Sequence, residues 1–416
     1  MALEGETYFQ ALSPKPFVST GVPFPQAVAR HATNTFNASR AYVIVSKSIS
    51  STPAFQSLLD ALGSKVVGVR LGIRQHVPWP DVLEVAADLR DLETDLVVTL
   101  GGGSLTDAAK VAILAVANSV DTLEGLEQLR ASIATGQAPK PATIHTINIP
   151  TTLSAGEYNI QAGATDLRNH RKGSFKHPSV VADLVVLDPA LTASTPERVW
   201  LSSGMRAVDH CVEGLCSIDF RPGAGGNLGR DAAEGILTTG LKRLLPGLLA
   251  TKKQPRDLEA RRTEMLGALD AMRGLLLGVS IGASHGIGHQ LGPLGVGHGE
   301  TSCVMLPSVL RWNLEHGDAW VRERQRKVLD AFWGDETVAE ALRQRGLDDK
   351  SSTAGDAVAA FVAELGLPGS LRDVGIGADK LDKLAENSMT DRCIPTNPIK
   401  INDAGQIREI LVLAMG

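Results

Sequence analysis

The stretch Asp95-Leu96-Val97-Val98-Thr99-Leu100-Gly101-Gly102-Gly103-Ser104 decides the fold, because an apolar run rich in β-branched residues passes directly into three glycines. The run predicts a buried strand, and a helix is expected to open at about Leu105. Glycines at such a junction let the backbone approach a ligand, and free N–H groups at a helix start attract phosphate oxygens. The pattern is neither GxGxxG nor a P-loop, so it predicts either a dinucleotide-binding turn or a plain strand–helix connection.

Apolar runs of the same kind alternate with helical patterns on both sides of this stretch. Strands are predicted over 40–46, 66–69, 95–100, 143–149 and 180–187, and helices over 52–62 and 80–92. Uninterrupted apolar strands that alternate with helices are typical of a parallel sheet covered on both faces. Beyond residue 196, helices are predicted over 204–216, 232–249, 258–282, 301–314, 322–332 and 352–365. We therefore expect an α/β domain over 1–190 and an all-α domain over 191–416.

Composition and charge exclude several classes of function. The chain has 416 residues and a net charge of −5, so nothing in its overall balance attracts nucleic acid or anionic membranes. Its four cysteines form no CxxC pair, which argues against a disulfide framework or a zinc knuckle. No signal-peptide pattern and no apolar run long enough for a membrane span are present. We expect a cytoplasmic protein whose partner is a small-molecule substrate.

Histidines are concentrated in the C-terminal half. Residues 285–298 contain three of the chain's ten histidines, namely His285, His289 and His298, among glycines and apolar residues. A fourth, His210, lies upstream within 204–213. Imidazole is the usual neutral metal ligand and the usual acid or base near neutral pH, so this pattern predicts a metal or proton-transfer site. The alternative is a glycine-rich helix end whose histidines bind backbone carbonyls.

Taken together, these motifs resemble the iron-containing (group III) alcohol dehydrogenases, and they follow that family's order over almost the whole chain. The glycine turn with Asp107 and Ala109-Lys110 resembles the family's pyrophosphate loop. Pro150-Thr151-Thr152, followed by Ala155-Gly156-Glu157, resembles the next cofactor-contacting turn. The resemblance implies a Rossmann-like N-terminal domain, a helical C-terminal domain with a cleft between them, hydride transfer with NADPH or NADH, and a homodimer.

Within this superfamily the chain most resembles the maleylacetate reductase branch. Two segments carry this narrower similarity, His298-Gly299-Glu300-Thr301 with the following Val304-Met305-Leu306-Pro307, and the late Asn397-Pro398.

The chain departs from the family's pattern at the metal site. Metal-dependent members hold a divalent ion with an Asp, a His four residues later and two further His. A spacing of four places two side chains on the same face of a helix. Here the histidine positions are filled by His210, His285 and His298, but the Asp position is filled by Arg206. A guanidinium cannot ligate a cation and repels one, so we expect no metal. Loss of this Asp is also a feature of the maleylacetate reductase branch.

Without a metal, other groups must act on the substrate. Arg206 is expected to polarise a carbonyl or to bind a substrate carboxylate with two hydrogen bonds. The alternative for Arg206 is a structural salt bridge to Glu213 or Asp209. His210, His285 and His298 become candidate proton donors, and His289, the family's non-ligand histidine near the nicotinamide, is another.

A second departure concerns the cofactor. Ser46-Lys47 stands after the first nucleotide-domain strand, where the family often has an Asp. A hydroxyl and a cation suit a 2′-phosphate, so this pair favours NADPH over NADH. The alternative is that Ser46 and Lys47 are ordinary loop residues. Lys172 falls where the family has a cofactor-contacting lysine.

Two functions of different classes follow from this sequence. The first is a metal-independent NAD(P)H-dependent oxidoreductase that reduces a carbonyl or enone of a small, carboxylate-bearing substrate. The second is a non-redox enzyme of the same fold, such as a dehydratase, isomerase or cyclase of specialised metabolism. A non-catalytic binding protein is disfavoured, because the glycine turn and the three histidines are retained.

Overall fold

The computed structural model describes residues 3–169, 171–223 and 229–416. The chain divides into two compact units, an N-terminal unit of residues 1–195 and a C-terminal unit of residues 196–416. The division therefore lies between Thr195 and Pro196, a few residues beyond the boundary predicted near 190. The expected fold class is confirmed, since the first unit combines a largely parallel sheet with helices and the second is helical.

The N-terminal unit is organised around one large sheet. Its strands are β1 (Thr7–Gln10), β2 (Phe17–Thr20), β3 (Ala41–Val45), β4 (Val66–Leu71), β5 (Leu96–Gly101), β6 (His145–Pro150), β7 (Gln161–Asp166), β8 (Arg171–Lys176) and β9 (Leu184–Leu187). Seven of them form a sheet in the order β1-β2-β9-β6-β5-β3-β4, in which only the β1–β2 pair is antiparallel. The remaining two, β7 and β8, form an antiparallel hairpin.

Helices cover both faces of this sheet. They are α1 (Phe24–Arg30), α2 (Lys47–Ser50), α3 (Pro53–Leu62), α4 (Trp79–Asp91), α5 (Gly103–Ala117), α6 (Leu123–Ala134) and α7 (Pro189–Thr192). In β3, Tyr42 and Ile44 pack into the core formed with α4, α5 and α6, while Val43 and Val45 pack into the core formed with α1 and α3. Every β3 residue is buried because both of its faces are covered, which explains its uninterrupted apolar sequence.

The structure corrects several predicted boundaries. Helix α5 begins at Gly103, two residues before the expected Leu105, because the glycine turn already provides its first helical residue. The strand predicted over 180–187 is only Leu184–Leu187, since Pro178–Val180 forms a 3₁₀ turn instead. The β7–β8 hairpin was not predicted. Its first strand, QAGATD, is too rich in small residues to give an apolar run, although its side chains alternate between buried and half-buried positions.

The C-terminal unit consists of helices α8 (Glu197–Leu215), α9 (Arg230–Lys253), α10 (Leu258–Leu276), α11 (Ala283–Leu291), α12 (His298–His316), α13 (Ala319–Trp333), α14 (Glu336–Gln344), α15 (Ala354–Glu364), α16 (Leu381–Ser388) and α17 (Ala404–Leu413). The helix predicted over 258–282 stops at Leu276, because Gly278 adopts a φ of 90° and turns the chain. A buried apolar core joins α11, α12, α16 and α17. None of the helices in the described part of the chain has the length and apolarity needed to cross a bilayer.

Candidate active site

The glycine turn lies where the strand order of the large sheet reverses. Strand β3 pairs in parallel with β4 on one side and with β5 on the other, so the carboxyl ends of β3 and β5 are neighbours. Ser46 follows β3, and its amide donates to the Leu100 carbonyl of β5 at 3.0 Å. Such a switch point is where open α/β sheets bind their ligands. Ser46 and the glycine turn therefore lie together at this edge.

The turn has the features of a phosphate cradle. Gly101 has a φ of 153°, and a Cβ at this position would overlap Cδ1 of Leu105. Around Gly103 there is open space where a side chain would stand. Gly102 is the N-cap of the 15-residue helix α5, and no described side chain caps that end. Uncapped N–H groups at a helix start attract anions, so the turn fits a pyrophosphate.

Thr151 and Thr152 lie against the same turn. The Thr151 amide donates to the Gly101 carbonyl at 3.0 Å, and its own carbonyl accepts from the Thr195 hydroxyl at 2.8 Å. The Thr152 methyl is 3.4 Å from the point where a Cβ on Gly102 would stand. Thr151 and Thr152, which belong to the second predicted cofactor turn, therefore lie next to the glycine turn.

Lys47 lies beside the carboxyl ends of β3 and β4. It is exposed at the start of α2, and its side chain passes over Gly72, where a Cβ would stand 2.8 Å from Cγ of Lys47. The Gly72 amide donates to the Val45 carbonyl at 2.7 Å, which joins the segments that follow β3 and β4. The cation predicted to bind a 2′-phosphate is therefore available at the carboxyl edge of the sheet, and Ser104 is likewise exposed beside the turn.

Asp107 on α5 and Lys172 on β8 both contact Gly163 of the β7–β8 hairpin. One oxygen of Asp107 accepts a hydrogen bond from the Gly163 amide at 3.2 Å. Lys172 is exposed on β8, and its side chain covers the same glycine. Burial raises the pKa of Asp107, and the positive charges of Lys110 and Lys172 oppose this shift. Asp107 thus fixes the hairpin against α5.

Lys110, which was not among the predicted site residues, anchors the segment that follows the second predicted cofactor turn. Its ammonium donates to the carbonyls of Gly156, Asn159 and Gln161, at 2.6, 2.6 and 3.3 Å. The residue is buried, and burial lowers its pKa to about 8 although Asp107 and Glu157 favour the charged form. The Ala109-Lys110 motif was the feature of the sequence that could have identified Lys110 as a site residue.

The C-terminal unit brings the five predicted catalytic residues together. Helix α8 carries Arg206 and His210, α11 carries His285 and His289, and His298 opens α12. The rings of His210 and His285 stack with centroids 4.8 Å apart, and His289 meets His285 edge-on at 6.4 Å. The charges of His289 and His298 also act on His285.

Arg206 is buried and paired. Its side chain donates to the Ser302 hydroxyl at 3.0 Å and lies 3.9 Å from Asp209. The same Asp209 oxygen accepts from the hydroxyls of Ser302 and Ser284, at 2.6 and 2.9 Å. Burial lowers the pKa of Arg206, but a guanidinium remains charged in proteins. Arg206 is thus a fixed positive charge whose partner is Asp209.

Glu213 holds His285 in one orientation. It accepts hydrogen bonds from the amides of Gly282 and Ser284, at 3.0 and 2.8 Å, and faces Nδ1 of His285 at 2.7 Å. Burial raises the pKa of Glu213 to about 8, and the neighbouring Asp209 adds to the shift. Burial also places the pKa of His285 well below its usual value, with a further contribution from Arg206.

His210 is neutral for the same reasons. Burial and the charge of Arg206 lower its pKa to about 3. Within residues 3–169, 171–223 and 229–416, Nδ1 of His210 and Nε2 of His285 find no hydrogen-bond partner. A ring that stays neutral near pH 7 is a poor cationic acid, which argues against His210 and His285 as proton donors.

The residues around Arg206 do not fit the divalent ion of metal-dependent family members. Asp209, Glu213 and His285 do offer atoms within 4.8 Å of one another. However, one Asp209 oxygen already accepts from two hydroxyls, Glu213 accepts from backbone amides and faces Nδ1 of His285, and the Arg206 guanidinium lies 3.9 Å from Asp209. A positive charge at the place of a ligand carboxylate repels a metal ion.

His289 has a carboxylate partner, Asp391, that was not predicted from the sequence. Its Nδ1 is 2.9 Å from an oxygen of Asp391, whose other oxygen accepts from the Cys393 amide at 2.9 Å. The His289 side chain is 27% exposed and that of Asp391 12%. Asp391 lies 102 residues after His289 in an irregular segment, so no spacing in the sequence connected them.

Two sequence profiles match most of the chain. The profile described as iron-containing alcohol dehydrogenase matches residues 24–189. The profile described as the C-terminal domain of the Fe-containing alcohol dehydrogenase family matches residues 200–415.

Individual relatives and solved structures agree with these profiles. A dehydrogenase from Alternaria alternata is 47% identical over 373 residues, which cover 88% of this chain and 96% of the relative. A dehydrogenase from Gibberella moniliformis is 43% identical over the full length of both chains. The crystal structure of maleylacetate reductase from Agrobacterium tumefaciens superposes with a TM-score of 0.73 at 25% identity, covering 98% of each chain.

Proposed function

The chain belongs to the iron-containing alcohol dehydrogenase family and is an oxidoreductase, and on that premise we propose that it is a metal-independent NAD(P)H-dependent reductase. Its acceptor is a carbonyl or enone on a small molecule that carries a carboxylate. The observation that carries the proposal is Arg206, a buried guanidinium at the position where metal-dependent members have a ligand Asp. The similarity to maleylacetate reductases supports the acceptor class.

The charge of Arg206 defines the chemistry of this site. Arg206 is 2% exposed, and Ser302 and Asp209 hold its guanidinium in place. A fixed positive charge in a buried setting stabilises the negative charge that develops on a carbonyl oxygen during reduction. This burial favours the polarising role of Arg206 over a two-pronged clamp on a substrate carboxylate.

The N-terminal unit would hold the cofactor. The uncapped start of α5 and the glycine turn fit the pyrophosphate, and Thr151 and Thr152 lie beside them. Ser46 and Lys47 favour NADPH, since a cation stabilises a 2′-phosphate. When bound, the reduced nicotinamide supplies a hydride to the acceptor.

A panel of 2-oxo and 4-oxo acids, with the matching ketones that lack a carboxylate, tests this function. We expect the dihydronicotinamide absorbance to fall only with an oxo acid, in protein treated with a chelator. Proven cofactor binding without turnover of any acceptor would contradict the proposal. Turnover of a candidate substrate without nicotinamide would instead favour a dehydratase, isomerase or cyclase.

Coenzyme preference depends on Lys47. We expect Lys47→Gln to weaken NADPH binding by about tenfold and to leave NADH binding unchanged, because only NADPH carries the 2′-phosphate. Fluorescence titration of the protein with each cofactor measures both affinities. The matched control is Lys140→Gln, which removes an exposed lysine from a loop of the same unit. An equal loss of affinity for both cofactors would show that Lys47 does not contact the 2′-phosphate.

A further inference from the structure

The proposed substrate carries a carboxylate, and Arg206 is poorly placed to receive it from solvent. Arg206 is buried, and Ser302 and Asp209 lie 3.0 and 3.9 Å from its guanidinium. A carboxylate that entered this interior would lose its hydration beside Asp209, which carries a charge of the same sign. Recognition of the carboxylate therefore needs a second cation, one that is exposed and has no partner of its own.

Arg392 is a guanidinium of this kind. Its side chain is exposed, and it forms no hydrogen bond or ion pair with the residues that the structure describes (3–169, 171–223 and 229–416). Other exposed arginines of the same unit are already paired, such as Arg198 with Glu300 and Arg408 with Asp382. The five N–H donors of Arg392 are therefore available to a ligand.

Arg392 directly follows the residue that contacts His289. Oδ2 of Asp391 is 2.9 Å from Nδ1 of His289, whose ring meets that of His285 edge-on with centroids 6.4 Å apart. Consecutive Cα atoms are about 3.8 Å apart, so the backbone of Arg392 lies one residue from this contact. Both oxygens of Asp391 are occupied, one by His289 and the other by the Cys393 amide. Arg392 thus stands at the edge of the histidine cluster and keeps its charge free.

The segment that carries Arg392 is firmly anchored. Ile394 packs against α11, where its Cδ1 lies 2.8 Å from the point at which a Cβ on Gly286 would stand. The buried Asn397 donates from its side-chain amide to Oδ1 of Asn313 on α12 at 2.8 Å. Because these contacts fix the backbone, only the side chain of Arg392 has to be ordered when a ligand binds, which keeps the entropic cost small.

We propose that Arg392 binds the carboxylate of the substrate and determines the specificity of the enzyme for oxo acids. This inference rests on the proposed function. The planar guanidinium donates two parallel hydrogen bonds to the two carboxylate oxygens, while Arg206 acts on the carbonyl of the same molecule. An acceptor without a carboxylate leaves the Arg392 guanidinium in water and gains no binding energy from it. Arg392 therefore positions the substrate and takes no part in the transfer of hydride or proton.

The test compares Arg392→Gln and Arg392→Lys with the control Arg256→Gln, all in the full-length protein. Arg256 is also exposed and unpaired within the described chain, but it lies in the connection between α9 and α10. We expect Arg392→Gln to raise the KM for an oxo acid by about 10–100-fold, with kcat and the KM for NADPH changed by less than about threefold, because the lost pair stabilises bound substrate and transition state equally. Arg392→Lys should recover part of the loss, since an ammonium keeps the charge but not the two-pronged geometry. Arg256→Gln should change none of these constants.

A second measurement does not depend on turnover. Isothermal titration calorimetry with succinate measures carboxylate binding directly, and Arg392→Gln should bind succinate at least about tenfold more weakly than the wild type and Arg256→Gln. A wild type that reduces no acceptor, yet shows this difference in succinate affinity, would refute the proposed function and leave the carboxylate site intact. An active reductase whose KM for the oxo acid is unchanged in Arg392→Gln would overturn the role of Arg392 alone. An equal rise in KM in Arg256→Gln would overturn it too, because the effect would then come from net charge.

Discussion

Replacing Arg206 by aspartate is expected to give a protein that binds about one divalent ion per chain, whereas the proposed metal-independent function requires that the wild type binds none. The substitution puts a carboxylate four residues before His210, on the same face of α8. It also removes the guanidinium, whose repulsion of a divalent ion 4 Å away is of the order of several kcal/mol at an effective dielectric near 20. His210 Nδ1 and His285 Nε2, which find no hydrogen-bond partner in the described chain, would then have a cation nearby.

Elemental analysis after dialysis against Zn²⁺ or Co²⁺ measures this gain directly. The visible absorption of bound Co²⁺ gives a second readout that does not require activity. The matched control is Arg206→Met, which removes the charge and keeps much of the volume but adds no ligand. We expect neither Arg206→Met nor the wild type to retain an ion. A stoichiometric ion in the wild type would contradict the metal-independent function, and an ion-free Arg206→Asp would show that the site has lost more than one ligand.

The site was predictable where its residues are close in sequence. The position of Arg206 relative to His210 follows from the helical repeat, so one substitution in the sequence was enough to question the metal. The glycine turn followed from an apolar run that ends at Gly101, and β3 and β5 followed from their burial on both faces. In these cases local spacing and burial determine the geometry.

Contacts between distant segments were not predictable from one sequence. Asp391 reaches His289 across 102 residues through an irregular segment that has no period. Asp209 was predicted as a possible partner of Arg206, but its hydrogen bonds to Ser284 and Ser302 depend on how α11 and α12 pack against α8. Of the two carboxylates named in the alternative for Arg206, Asp209 lies 3.9 Å from its guanidinium, and Glu213 instead binds amides and faces His285. The packing of the helices therefore determines which partners Asp209 and Glu213 bind.

Replacing Lys110 by methionine is expected to have the largest effect within the N-terminal unit. The ammonium satisfies three carbonyls of the segment 156–161 and offsets the charges of Asp107 and Glu157. Methionine has a similar length but no donor, so the carbonyls and both carboxyls lose their buried partner. Removing one member of a buried charged network costs about 3–5 kcal/mol. Because the pKa of Glu157 is already raised to about 7 by burial, part of this cost is relieved by its protonation.

The loss of stability in Lys110→Met should be confined to the segment near the second turn and should weaken cofactor binding. Hydrogen exchange of the amides in 156–163 is expected to quicken in Lys110→Met, because this segment loses its anchor to α5. NADPH affinity should fall by more than about tenfold, since the segment that follows the Thr151-Thr152 turn is no longer anchored to α5. The control Lys176→Met removes an exposed lysine from the end of β8 and should change neither quantity. Unchanged exchange together with unchanged affinity in Lys110→Met would mean that the second turn is held by its own backbone contacts, and that the Ala109-Lys110 motif serves another purpose.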